Sequence, residues 1–265
     1  MALLFVLHGG GGAGAGMEAL ALGRLTDLAE DKGFAVVYPD GLRRQWNDGR
    51  RDAPTAAARR GVGDVAFISA LIDAISAETR IDRGRVFAAG LSNGAMMALR
   101  LGCDLADRIA GIASVAGNLA KDHVPLCTPA RPVSVLVMNG TEDPLVPYGG
   151  GPVTFRGRGR GQLAGTDETI AIFRAHNDCT ETGTTEALAD RDSDDGVRIE
   201  KFTWVCAAGS RVILYRMEGA GHVWPGGFHA VPEITGRMTG DIDATDEIWA
   251  FFEAAGRLAP PAVSS

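Results

Sequence analysis

Short apolar blocks alternate with amphipathic stretches along most of the chain. Leu3–Leu7 (LLFVL), Phe34–Tyr38 (FAVVY), the run from Arg85 into Gly90 (RVFAAG), Ile109–Val115, Arg131–Asn139 (RPVSVLVMN) and Arg211–Met217 (RVILYRM) are apolar with little alternation. That is the pattern of strands buried on both faces. Between them lie stretches with helical spacing. Met17–Lys32 carries Leu20, Leu25 and Leu28 and stops at Gly33, a residue that tolerates a left-handed C-terminal turn. Asp64–Thr79 places Ile68, Leu71, Ile72 and Ile75 at i, i+3, i+4 and i+7, one face of a helix. A helix follows Gly94, another spans Thr166–His176, and Asp243–Ala255 closes the series with Ile248, Trp249 and Phe252 as its buried stripe. Strands alternating with helices through short connections predict an α/β fold, a mostly parallel sheet flanked by helices.

The polar segments carry less information. Leu42–Gly63 reads as a loop, with Trp46-Asn47-Asp48 at a position suited to a pocket rim, since functional groups concentrate on loops at strand C-termini. Gly149–Gly165 (GGGPVTFRGRGRGQLAG) is the most loop-like stretch. Its RGRGRG has no stacking aromatics, so it predicts a solvated loop and not an RNA contact. Asp190–Gly196 (DRDSDDG) has its glycine seventh and Lys201 at position twelve, which breaks the EF-hand pattern. A turn joining strands that end at Ala189 and begin at Val197 accounts for it.

Composition narrows the class. The 265 residues are 46% hydrophobic and 22% charged, enough for one sizeable core. A net charge of −7 argues against non-specific nucleic-acid binding. No apolar run approaches the ~18–20 residues of a membrane span, and MALLFVLHGG lacks a basic leader region and a cleavage site, so it reads as a strand. Four cysteines admit three pairings; local pairing closes short loops, and four buried free thiols are the alternative. No His, Cys or Asp set has zinc-ligand spacing.

The chemistry centres on Gly90-Leu91-Ser92-Asn93-Gly94. A chain with 36 glycines can supply G-x-S-x-G by chance, so the context decides. Here an apolar strand runs into the pentapeptide and a helix follows at once, the setting of a nucleophile elbow. A serine hydroxyl needs a base, and the base needs a carboxylate to orient it. In an open parallel sheet such groups sit at the C-terminal ends of strands. Ser92, Asp143 in GTEDP, and His222 in EGAGH each follow a predicted strand, in the chain order of α/β-hydrolases. His8, His123, His176 and His229 are weaker candidates for the base, and Glu142 and Asp122 for the acid. His8-Gly9-Gly10-Gly11-Gly12 resembles an oxyanion loop; the phosphate-loop reading lacks both a following GK[ST] and an acidic strand end. The N–H groups of Gly10 and Asn93 are the expected oxyanion donors. His222 must be neutral to accept a proton, so activity should fall on acidification.

Taken together, GLSNGAMMA, the early HGG loop, PDG…WNDGR, GDVAFISALID, NGTEDPLVPY, HNDC…C, GAGHVWPGG and DIDATDEIWAFF resemble the polyhydroxybutyrate depolymerase-like esterases, which overlap the feruloyl and acetylxylan esterases of carbohydrate esterase family one. The resemblance runs from residue 3 to about residue 253. It implies an α/β-hydrolase domain over residues 1–257 with a tail at 258–265, and extracellular or periplasmic ester hydrolysis without metal or organic cofactor. It further implies Ser92 as nucleophile, Asp143 as acid, His222 as base, Gly10 and Asn93 as oxyanion donors, Trp46 and Trp224 as pocket walls, and disulfides Cys103–Cys127 and Cys179–Cys206. The substrate would be a small-molecule, polysaccharide or polyester ester: short-chain, feruloyl, acetyl or hydroxyalkanoate. The family also has two strands before the HGG strand, which this chain lacks. That would leave FAVVY as an apolar sheet edge and a route to homodimers. Relatives often carry an acidic pair where this chain has Gly63-Asp64, which leaves that pair's role open. A non-catalytic binding module and a peptidase are the rival readings on the same fold.

Overall fold

The structure, a computed structural model, describes residues 1–229 and 231–255; the tail expected at 258–265 lies outside the described residues. The chain runs β1 (Leu3–Leu7), α1 (Gly14–Leu20), α2 (Arg24–Lys32), β2 (Ala35–Val37), α3 (Ala56–Arg59), α4 (Asp64–Glu78), β3 (Val86–Leu91), α5 (Asn93–Asp104), β4 (Gly111–Val115) and β5 (Ser134–Gly140). It continues through β6 (Gly151–Phe155), β7 (Arg158–Leu163), α6 (Thr166–His176), β8 (Thr184–Ala187), β9 (Arg198–Val205), β10 (Arg211–Glu218), α7 (Pro232–Thr235) and α8 (Ala244–Ala254).

The strands form an eight-stranded sheet in the order β2-β1-β3-β4-β5-β10-β9-β8. From β2 to β10 all neighbours are parallel, and β9 and β8 extend the sheet antiparallel. The two-residue side-chain period sorts each apolar strand onto two cores. Leu4 and Val6 of β1 join Phe87, Ala113 and Leu136 beneath Met17, Leu25 and the α8 stripe of Ile248, Trp249 and Phe252. Leu3, Phe5 and Leu7 face the other way, with Ala88, Ile112 and Val135 against Ile68 and Ile72 of α4, Met97 and Leu101 of α5, and Phe173 of α6. β2 ends the sheet on the side expected from the sequence, with all three of its residues half-buried.

Two local expectations are corrected. Met17–Lys32 is not one helix. Leu22 and Gly23 take positive φ (55° and 75°) and split it into α1 and α2, because a left-handed residue cannot continue a right-handed helix. Gly149–Gly165 is not an irregular loop but the antiparallel hairpin β6–β7. Its connection is Arg156-Gly157, both at positive φ (50° and 71°), the geometry of a two-residue type I′ turn. A disulfide joins Cys103, in α5, to Cys127, ahead of β5; a second joins Cys179, after α6, to Cys206, after β9. Closing loops of this length restricts the unfolded chain, so replacing Cys103 and Cys127 together by alanine should lower unfolding stability by about 3 kcal/mol in chemical denaturation.

Candidate active site

The sheet's parallel strands deliver their C-terminal ends to one edge, and the candidate residues gather there. Ser92 directly follows β3 and precedes α5. Its backbone is strained, at φ 57° and ψ −119°, a region a serine occupies only when the surrounding structure enforces it. The enforcement is visible. Ser92 N–H donates to Val115 O at the end of β4, and its carbonyl accepts from Met96 N–H in the first turn of α5. The flanking glycines let the turn close. A Cβ on Gly94 would stand 2.1 Å from Leu7 O, and one on Gly90 would stand 2.4 Å from the Gly94 carbonyl carbon.

Asp143 and His222 come from loops after β5 and β10. His222 Nδ1–H donates to Asp143 Oδ2 at 2.7 Å. The other carboxylate oxygen, Oδ1, accepts from the N–H groups of Leu145 and Val146, each at 2.8 Å. Both residues are buried, so the contact is shielded from water. The two loops pack closely because Gly140 has no Cβ; one would meet Ala220 O at 2.2 Å. The His222 N–H is in turn tied to Thr235 O.

Ser92 and His222 line one cavity of about 420 Å³. Gly9, Gly10, Gly11 and Asn93 line its polar side, and Met96, Leu145, Val146, Val153 and Phe155 its apolar side. The glycine loop is anchored by His8. Gly41 N–H donates to His8 Nε2, which leaves the proton on Nδ1, donated to Gly9 O. Gly11 and Gly12 N–H are engaged by Arg44 O and Gly9 O. The Asn93 N–H is the first of α5, among the four that a helix leaves without an intrahelical acceptor.

His176 is exposed in the last turn of α6, and two further histidines have partners of their own. His123 contacts Asp104 at 2.9 Å, and His229 contacts Thr235 Oγ1 at 2.9 Å. Of the rival acids, Glu142 pairs with Arg237, and Asp122 accepts from Arg51 N–H. Asp64 accepts from Asn47 N–H at 2.7 Å; burial pushes its carboxyl up, against that bond.

The tryptophan expectation is corrected. Neither Trp46 nor Trp224 lines the cavity; both are core residues, 1% and 2% exposed. Trp46 lies beneath the glycine loop, where its indole N–H donates to His8 O. Trp224 packs against α8 and reaches Thr245 Oγ1 at 3.4 Å. An indole buried with its N–H satisfied is a packing residue, and sequence gives no sign of which way such a ring turns.

The structure also brings in Gln45, Arg50 and the hairpin residues, which the sequence did not single out, and gives Asp48 of the expected rim a buried partner. Gln45 lines the cavity, its side-chain amide 3.2 Å from where a Gly10 Cβ would stand. Asp48 and Arg50 are 2% and 4% exposed and joined by several hydrogen bonds, the shortest 2.6 Å. Asp48 also accepts from Asn93 Nδ2 at 2.6 Å, while Asn93 Oδ1 accepts from Trp46 N–H at 2.8 Å. The hairpin contributes Val153, Thr154, Phe155 and Arg160. A run of arginines and glycines carries no apolar pattern to announce this. Among the described residues, no cluster of three or more His, Cys, Asp or Glu could hold a metal ion, and no helix is long and apolar enough to cross a membrane.

Comparison with known proteins agrees with this architecture. Residues 1–123 match the family described as Esterase PHB depolymerase. The putative esterase NocK of Nocardia uniformis subsp. tsuyamanensis is 32% identical over 254 residues, which is 92% of this chain and 72% of that protein. Feruloyl esterase B of Piromyces equi is 36% identical over 143 residues, 49% of this chain but only 25% of that one. Among solved structures, an acetyl xylan esterase from Aspergillus awamori has the same fold, with a TM-score of 0.59 at 16% identity over 96% of this chain and 89% of its own. The chain belongs to the Esterase PHB depolymerase family and is a carboxylesterase with an α/β-hydrolase fold.

Proposed function

We propose that ester hydrolysis runs through an acyl-enzyme on Ser92, with His222 as general base and acid and Asp143 as the carboxylate that orients it. The observation that carries this reading is the 2.7 Å contact between His222 Nδ1 and Asp143 Oδ2 beside the strained Ser92, with Ser92 and His222 lining one cavity. Asp143 fixes the proton on Nδ1, so Nε2 is the nitrogen free to take the Ser92 Oγ proton as the hydroxyl attacks the ester carbonyl. His222 then returns that proton to the departing alcohol, and water repeats the cycle on the acyl-enzyme. Negative charge developing on the carbonyl oxygen is met by the N–H groups of Asn93 and Gly10, preorganised by the helix start and the anchored glycine loop.

The substrates in view are short-chain, feruloyl, acetyl-polysaccharide and hydroxyalkanoate esters. The apolar side of the cavity suits an acyl chain or ring of modest size, and the name of the Piromyces equi relative supports the feruloyl class. Two disulfides point to an oxidising compartment, extracellular or periplasmic. A fluorophosphonate should label Ser92 with one equivalent and abolish turnover. Full activity after exposure to the reagent, or an adduct on another residue, would sink the reading.

A further inference from the structure

The hairpin β6–β7 gives the cavity a charge that its catalytic residues do not use. Arg160 lines the cavity, and its guanidinium carbon sits 5.3 Å from the centre of the Phe155 ring. Arg156 flanks the same ring at 5.4 Å. The Arg160 Nε is buried with no hydrogen-bond partner among the described residues. No ion pair joins Arg156, Arg158 or Arg160 to a carboxylate among the described residues. This cluster of cations sits in a chain whose net charge is −7.

Of these three arginines, it is Arg160 that lines the cavity. The lining contains no Asp or Glu. The second arginine there, Arg50, is already neutralised by Asp48, and its Nη1 donates to the backbone carbonyl of Arg160, fixing the strand that carries the free cation. A buried N–H donor on a charged group with no acceptor is costly unless a ligand supplies one. A guanidinium backed by an aromatic ring, planar and unable to lose its proton, is suited to a carboxylate.

We infer that the esterase recognises esters carrying an ionised carboxylate, bound by Arg160 across the apolar lining from Ser92. The inference rests on the reading of Ser92 as nucleophile. The carboxylate belongs to either the acyl group or the alcohol, and two substrate pairs separate these sources. Mono-p-nitrophenyl glutarate against p-nitrophenyl pentanoate tests the acyl side. The 3-butanoyloxybutanoate ion against its carboxamide tests the alcohol side. In one pair the wild-type enzyme should show the higher kcat/KM for the anion. Arg160→Gln should cut that anionic-to-neutral ratio about tenfold, as expected for a charge-assisted hydrogen bond, and mainly through KM. Arg160→Lys should recover part of it. The wild-type ratio should also shrink from low to high salt, which decides the matter if the glutamine variant does not fold. Equal use of anion and neutral ester in both pairs would overturn the inference, as would an Arg160→Gln ratio equal to wild type. If p-nitrophenyl pentanoate is still hydrolysed and Ser92→Ala abolishes it, only the carboxylate preference has failed. If Ser92→Ala keeps its activity, the underlying reading has failed.

Discussion

Ser92→Ala is expected to lower kcat on a short p-nitrophenyl ester by about five orders of magnitude, because Ser92 is the proposed nucleophile and removing the nucleophile of a cooperating set costs nearly as much as removing the whole set. The residual rate would come from the oxyanion donors and from binding, which the substitution leaves in place. KM should change little, since the rest of the cavity lining is left in place. Stability should also change little, because alanine meets the same backbone strain at φ 57° and ψ −119°. Ser92→Gly gives a second readout. Glycine is at ease at positive φ, so this variant should be as inactive as the alanine one yet more stable than it, by roughly 1–2 kcal/mol. Equal stability of the two variants would mean that the elbow is not held under strain. Wild-type turnover in either variant would remove Ser92 from the chemistry.

The sequence made this serine visible for a physical reason. β1, β3, β4, β5 and β10 are buried on both faces, so their burial requirement is written locally as uninterrupted apolar runs. The α4 and α8 stripes are equally local. Chain order then brings the ends of β3, β5 and β10 to one sheet edge, which is why Ser92, Asp143 and His222 could be picked out before their contacts were known. The hairpin was not legible by the same means. Its strands bury few residues, and its turn is Arg-Gly where Asn-Gly or Asp-Gly is the usual signal. Its position depends on distant partners, such as the Arg50 side chain reaching the Arg160 carbonyl. Trp46 misleads for a related reason, since an aromatic in a polar segment reads as a rim residue, and Trp224 is expected as a pocket wall only by resemblance; each ring is turned inward to a buried acceptor. Asp48 and Arg50, two charges in a polar loop, gave no sign that they would be buried together.

Asp48→Ala is the substitution expected to damage the site most without touching a reacting atom. Asp48 accepts from the backbone N–H, Nε and Nη2 of Arg50 and from Asn93 Nδ2. Without it, Arg50 is left 4% exposed with no counter-charge at its Nε and Nη2. Breaking one partner of a buried ion pair costs about 3–5 kcal/mol, which for a domain of this size lowers Tm by about 10 °C. A second effect is separate. Asn93 is gripped on one side by Trp46 and on the other by Asp48, and its own N–H is the proposed oxyanion donor next to Ser92. Loosening that grip lets the donor drift, and small misplacements in an active site lower kcat about ten- to a hundredfold. The double substitution Asp48→Leu with Arg50→Met distinguishes the two. It removes both charges and should restore much of the lost stability, since buried ion pairs are often replaceable by apolar side chains of similar volume. It leaves Asn93 Nδ2 with the Trp46 carbonyl but without the Asp48 carboxylate, so kcat should stay low at temperatures where the variant is fully folded. Recovery of kcat together with Tm would mean that Asp48 serves only to balance Arg50, and that the Asn93 donor is held by Trp46 and the start of α5 alone.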